Sequence, residues 1–305
     1  MSENEHHHNH NHSHSHNVSG KNLFITIILN IIITLSQIIG GILSGSLALM
    51  SDALHNFSDV LALVLTYWTN KIAKKDKNNY KTFGYKRAEI LATLFNSATL
   101  IAIAIYLIIE SIDKFFNPQS VDSTLVIGLG ILSIILNAVS VLLVKDDAHN
   151  NMNVKAAYLH LLTDVMTSVA VVIGGLLMYF YNIFWVDPLI SLLIAFYLIK
   201  ASYSLLLESI NILMQGSPEH IDIEEIKKNV ENFDEVLNIH HLHIWRLNDH
   251  DVHLEAHIDF KQNLLLQEVN QITSKIEEYL KSKYHISHIT LQAEYDCCEN
   301  KNLLH

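Results

Sequence analysis

Six stretches of the chain are apolar almost without interruption: Leu23 to Leu43, Leu47 to Asn70, Ala88 to Phe115, Thr124 to Val144, Val154 to Phe180 and Pro188 to Leu213. Each is about as long as the ~20 residues a helix needs to cross a hydrocarbon core of ~30 Å. Polar stripes at helical period, which would mark buried helices of a soluble bundle, are mostly absent. The pattern therefore predicts a membrane-embedded, all-α bundle of six transmembrane helices. After Gln215, Gly216 and Pro218 the hydropathy drops. Asp222 to Phe233 and Leu264 to Lys283 read as helices. Glu235 to Leu247, Asp251 to Phe260 and Ile286 to Tyr295 read as strands, with a polar turn at Asn248 to His250. The order αββαβ predicts a small α+β domain of ferredoxin or metallochaperone type, with two helices covering one side of a three-stranded sheet. Four segments result: a polar, His-rich tail over 1–20, a six-span membrane domain over 21–215, an α+β domain over 216–298 and a short C-terminal tail over 299–305.

Charge orients the membrane part. Between the second and third apolar runs lie Lys71, Lys74, Lys75, Lys77, Lys81, Lys86 and Arg87, whereas the turns at Ser44 to Ser46 and Tyr181 to Val186 carry no Lys or Arg. By the positive-inside bias both termini are expected in the cytoplasm. Seventeen of the thirty-one acidic residues fall in residues 219 to 299, so the C-terminal domain is acidic and nucleic acid is excluded as a partner. The only cysteines, Cys297 and Cys298, are adjacent, which gives no disulfide framework and fits a reducing compartment.

Histidine changes the picture. Of twenty, seven stand in the first sixteen residues and ten lie beyond residue 219. The N-terminal segment, where His alternates irregularly with Asn and Ser, lacks the charged start and apolar core of a signal peptide and reads as a disordered, metal-gathering tail. Inside the apolar runs, Leu54-His55-Asn56-Phe57-Ser58-Asp59-Val60 and Leu159-His160-Leu161-Leu162-Thr163-Asp164-Val165 share one arrangement. Positions i and i+4 of a helix lie on one face, so each segment projects an imidazole with a carboxylate. At ~1.5 Å per residue all four side chains fall in one band near the midplane. An ionisable group at that depth costs roughly 3 kcal/mol or more unless paired, and a bound cation would account for four of them together. Two imidazoles and two carboxylates close a neutral tetrahedral shell around Zn²⁺, with Cd²⁺ and Co²⁺ also acceptable. Ca²⁺ and Mg²⁺ would prefer oxygen ligands in higher number. The bland alternative is that the His/Asp pairs only join helices by hydrogen bonds.

At these residues the chain resembles the cation diffusion facilitator family, in its zinc-transporting branch. The likeness runs from about Lys21 to Cys298 and is most specific in Ser51 to Asp59, in Phe83-Gly84-Tyr85-Lys86-Arg87-Ala88-Glu89, and at His160 with Asp164. It implies a homodimer in the cell membrane that exports zinc-like metals from the cytoplasm in exchange for protons, with His55, Asp59, His160 and Asp164 as the transport site. The manganese branch has carboxylates where this chain has histidines. The resemblance also points to a cytoplasmic metal site at His240, His257 and Glu294, with Cys297 and Cys298 as thiolates from a partner subunit and Zn²⁺ as a regulatory ligand. Independently of it, strand alternation puts His241 and His243 on one face and His240 on the other, while His253, Glu255 and His257 share a face. Solvated histidines on an acidic surface are the alternative there.

Other residues are left open. The loop from Lys71 to Lys86 offers only Asp76 and no His, so no site is expected in it. Asp146, Asp147 and His149 suit an access funnel or a plain polar loop. Lys200 lies about 18 Å into the sixth run, deep for a charge, and Glu208 is expected level with Lys86 and Arg87. A membrane metallohydrolase fits less well than a carrier, because four protein ligands would fill the shell that a catalytic zinc leaves open to water. A metal sensor or storage protein is the remaining alternative, distinguished by the absence of vectorial flux.

Overall fold

The computed structural model describes residues 20–73, 75, 77–148, 152–248, 251–296 and 302–303. The His-rich segment 1–19, Asp76, His149, His250, Cys297 and Cys298 lie outside the described residues, as do the side chains of Asp146 and Asp147. The six apolar runs are six helices: α1 Gly20–Ser44, α2 Leu47–Ala73, α3 Ala88–Phe116, α4 Ser123–Ala148, α5 Met152–Tyr181 and α6 Val186–Leu213. Among the described residues, all of them but α2 contain a segment long and apolar enough to cross a membrane. The 27-residue α2 is equally long, and its lower hydropathy comes from Ser51, Asp52, His55, Asn56 and Ser58, all of which are buried. The polar face of α2 turns inward, which is the arrangement a bilayer enforces. Large apolar side chains such as Ile42, Leu43, Phe95 and Leu142 remain exposed, as lipid-facing residues must. The chain is a multi-pass membrane protein.

Contacts divide the chain into two compact units, Met1–Val60 with Ile103–Tyr197, and Leu61–Ala102 with Leu198–His305. In the first, α4 packs on α5 and on α1. Gly130 and Gly175 permit the close approach of α4 to α5, since a Cβ at Gly130 would meet Val172 Cγ2 at 2.6 Å and one at Gly175 would meet Ile127 Cγ1 at 2.9 Å. The turn between α1 and α2 uses Gly45 at φ +70°. Asp187, in the first turn of α6, caps α2: its buried carboxylate accepts from the Ser46 hydroxyl, from the Leu47 N–H at 2.7 Å and from the Ala48 N–H at 3.3 Å. The cap supplies the acceptors that the first turn of α2 could not find in lipid.

The second unit contains the α+β domain: α7 Ile223–Glu231, β1 Val236–Arg246, β2 Val252–Phe260, α8 Leu266–Tyr284 and β3 His288–Glu294. Asp222 caps α7, accepting from the N–H groups of Glu224 and Glu225. The strand order is β1-β2-β3, with β1 antiparallel and β3 parallel to β2. Ile226 and Val230 of α7 and Ile272, Ile276 and Leu280 of α8 share one core with Ile239, Leu242, Ile244, Leu254, Ile258 and Ile289 of the sheet. Both helices thus cover one face, and each fully buried Ile or Leu contributes about 1.5–3 kcal/mol.

Strict alternation fails along β1. The pairing with β2 shifts between His240 and His243, and His241 takes φ +52°, so β1 carries a bulge. The bulge returns Leu242 and Ile244 to the core face already used by Ile239. It also leaves His240 opposite His257, not on the face away from His241 and His243 as alternation alone implies. The bulged backbone is anchored by residues expected to be a plain tail: His241 N–H donates to Asn302 O at 3.2 Å, Leu242 N–H donates to Leu303 O at 2.9 Å, and Leu303 joins the core.

Glu208 and Lys86 each find a partner in the second unit. Glu208 accepts from Arg246 at 2.8 Å, and Lys86 pairs with Asp251 at 2.6 Å. The counterions are Arg246, the last residue of β1, and Asp251, just before β2. Lys200 is exposed, as expected of a lysine whose ammonium snorkels away from apolar surroundings. Lys86 holds the Asp251 carboxyl below its ordinary range. A depressed folded value stabilises above the unfolded value near 3.8, and the gain is lost as pH falls through the folded value. Asp251→Asn should therefore lower the melting temperature at pH 7 by an amount worth no more than about 1 kcal/mol for this partly exposed pair. The difference from native should shrink as the pH falls below the ordinary carboxylate range, in melts followed by intrinsic fluorescence.

Candidate metal centre

His55 and Asp59 stand one turn apart on α2, and His160 and Asp164 one turn apart on α5. Their ligand atoms all lie within 4.8 Å of one another. His55 Nε2 is 3.3 Å from Asp164 Oδ1 and 3.6 Å from Asp59 Oδ2, while His160 Nε2 is 3.2 Å from Asp59 Oδ2 and 4.0 Å from Asp164 Oδ2. The contacts cross from helix to helix, so each carboxylate faces both imidazoles. Both nitrogens of His55, Oδ2 of Asp59 and both oxygens of Asp164 are buried and make no hydrogen bond among the described residues. A divalent cation at their centre would satisfy these buried polar atoms together. The side chain of Asp164 is wholly buried and that of His160 is 41% exposed.

A polar network one turn away fixes the two helices against each other. Asp52, fully buried on α2, accepts hydrogen bonds from Gln37 Nε2 of α1 at 2.5 Å and from Thr167 Oγ1 and Ser168 Oγ of α5 at 2.8 and 3.1 Å. Asn56 Nδ2 donates to Gln37 Oε1 at 2.9 Å, and the Ser168 and Ser133 hydroxyls join α5 to α4 at 2.9 Å. Asp52 lies three residues before His55 and Thr167 three residues after Asp164, so the network sets how α2 and α5 present their ligands. Sequence reasoning gave Asp52 no role of its own. The available signal was a carboxylate inside an apolar run.

A second cluster lies on the helix-free face of the sheet. His240, His257 and Glu294 bring ligand atoms within 4.8 Å of one another. His257 Nδ1 is 2.8 Å from Glu294 Oε1, and His240 Nε2 is 3.3 Å from Glu294 Oε2. His240 is 2% exposed, its Nδ1 lies 3.1 Å from Asn238 Oδ1, and its Nε2 makes no hydrogen bond among the described residues. The bulge brings His241 along as well, its ring stacked on His257 with centroids 4.7 Å apart. Cys297 and Cys298 lie outside the described residues.

The sequence matches the model of the cation efflux transmembrane domain over residues 23–214 and that of the cation efflux protein cytoplasmic domain over residues 218–296. It is 37% identical over 290 residues to a cadmium, cobalt and zinc/H(+)-K(+) antiporter of Bacillus subtilis, covering 93% of each chain. It is 32% identical to the metal cation efflux system protein CzcD of Cupriavidus metallidurans, over 87% of this chain and 83% of the relative. With the zinc transporter ZitB of Pectobacterium atrosepticum it shares 34% identity, over 92% and 88% of the two chains. Each of these relatives is a metal antiporter, efflux protein or transporter. Six apolar helices followed by an αββαβ domain, matched over nearly the whole length, establish that the chain belongs to the cation efflux family of membrane transporters.

Proposed function

We propose that this protein exports Zn²⁺ from the cytoplasm in exchange for protons, with Cd²⁺ and Co²⁺ as further substrates, through a tetrahedral site of His55, Asp59, His160 and Asp164. The observation that carries the reading is the group of buried ligand atoms, facing one another and lacking hydrogen bonds, in the middle of α2 and α5. Two aspartates balance the charge of a divalent ion, and imidazole nitrogen selects zinc-like metals over Mg²⁺ and Ca²⁺. Metal binds only the deprotonated ligands, so loading expels protons and reprotonation from the far side releases the ion. Alternating exposure of the site to the two sides would make this exchange vectorial.

The Lys-rich α2–α3 loop supports a cytoplasmic location for that loop, both termini and the C-terminal domain, in a cell membrane. The match to a cation efflux cytoplasmic domain supports the same orientation, and with the resemblance it supports a homodimer. His240, His257 and Glu294, with thiolates of Cys297 and Cys298 from the partner, would hold a second, regulatory Zn²⁺. The buried Nε2 of His240 fits such a group. That charge would offset the repulsion between two acidic domains.

Proteoliposomes test the reading. Zn²⁺ should accumulate in vesicles whose lumen is more acidic than the bath, at a rate that collapses when an ionophore dissipates the gradient. Flux insensitive to the gradient would refute proton coupling. Stoichiometric Zn²⁺ binding with no flux under any gradient would favour a metal sensor or store.

A further inference from the structure

A cavity of about 370 Å³ in the second unit, separate from both His clusters, is lined by Lys81, Tyr85, Lys86, Arg87, Gln215 and Trp245 among others. Its size is within the roughly 300–1,000 Å³ typical of small-ligand sites. Among the described residues, no acidic one lines it. Lys86 is paired with Asp251, and the Lys81 ammonium sits 5.0 Å from the Tyr85 ring centroid. Arg87 is different: its Nε is buried and makes no hydrogen bond among the described residues. A buried guanidinium N–H without an acceptor is costly, and an anion in the cavity would remove that cost.

Further features add positive potential. The cavity opens at the start of α3, whose first-turn N–H groups favour negative charge, and Glu89 of that turn is not among its lining residues. The candidate membrane span of α3 begins at Ala88, directly after Lys86 and Arg87 in the chain, as cationic residues flanking a span do. Leu91, which also lines the cavity, is 54% exposed one turn into that segment. Exposed Phe83 and Tyr80 precede it in the loop, as aromatic side chains at a membrane boundary do.

We propose that this cavity binds the phosphate group of an anionic membrane phospholipid, with Arg87 and Lys81 as cationic contacts and Leu91 against the acyl chains. A free phosphate ion would satisfy the cations equally but has no use for the apolar wall. Basic pockets at the cytoplasmic ends of spanning helices suit anionic headgroups generally.

The test uses the full chain, delipidated in detergent and titrated separately with phosphatidylglycerol, phosphatidylcholine and inorganic phosphate, with bound lipid counted by native mass spectrometry. Phosphatidylglycerol should bind about tenfold more tightly than phosphatidylcholine, and Arg87→Gln should weaken it by about tenfold or more, as expected for loss of a charge-assisted contact. Lys81→Gln, on the exposed loop, should weaken it severalfold and serves if Arg87→Gln does not fold. Equal retention of the two lipids, or phosphatidylglycerol binding undiminished in these variants, overturns the proposal. Saturable binding of inorganic phosphate that depends on Arg87, with no preference among lipids, assigns the cavity to a free anion and overturns the lipid source.

Discussion

Asp164→Asn should abolish Zn²⁺ transport while leaving the protein folded. Asparagine keeps the shape and size of the side chain, so the completely buried position loses no packing. It loses the charge, and it replaces one oxygen that faces the imidazoles with an amide that donates hydrogen bonds and repels a cation. Asp164 Oδ1 lies 3.3 Å from His55 Nε2 and Oδ2 lies 4.0 Å from His160 Nε2, so either orientation of the amide disturbs one ligand pair. A divalent ion in the variant site would carry an uncompensated positive charge in a membrane interior. Removing one partner of a buried charged set costs about 3–5 kcal/mol, which corresponds to a fall of roughly 100-fold or more in affinity and flux. Zinc uptake in proteoliposomes matched for protein content measures the effect, with a thermal melt in detergent as the folding control. Flux within about threefold of native would show that Asp164 is not a ligand of the transported ion.

The two His/Asp pairs were legible because the helical period does the work: His55 with Asp59 and His160 with Asp164 share faces whatever the bundle around them looks like. Six helices were legible for the same local reason, as apolar length alone marks a span, and α2 begins at Leu47 where the pattern predicts. Pairings across helices were not. Asp52 is visible as a charge in an apolar run, but its donors Gln37, Thr167 and Ser168 come from two other helices, and no local rule connects them.

The bulge in β1 is an intermediate case. Ile239, Leu242 and Ile244 are spaced by three and then two, which no period-two strand can bury on one face. Keeping all three in the core requires one extra residue between Ile239 and Leu242, and the chain meets that requirement with His241 at φ +52°. Core burial of two large side chains outweighs the cost of a left-handed residue, and the consequence is chemical, since it sets His240 opposite His257. What the spacing does not contain is the anchor, because Asn302 and Leu303 reach the bulge from the far end of the domain.

Asp52→Ala should be the most damaging substitution outside the ligand set, for a structural reason that then reaches transport. The carboxylate accepts three hydrogen bonds from two neighbouring helices. Without it, Thr167 retains the Asp164 carbonyl at 2.9 Å and Ser168 retains Ser133, but the Gln37 amide loses its acceptor inside the bundle. An orphaned amide, an emptied carboxylate volume and two weakened interhelical links should together cost about 2–4 kcal/mol in a membrane, where single side-chain hydrogen bonds contribute about 0.6 kcal/mol on average. The links joined α2 to α5 one turn from the ligands, so the two His/Asp pairs should lose their mutual register. Zinc flux should fall by about tenfold or more, since small misplacements of ligands are expensive. Asp52→Asn, which retains one accepting oxygen but presents an amide to the remaining donor, should fall between native and alanine in both melting temperature and flux. Zinc stoichiometry at the membrane site should stay the same in both variants while affinity drops, which separates a positioning residue from a ligand. A native melting temperature and full flux in Asp52→Ala would show that α2 and α5 hold their register without this network.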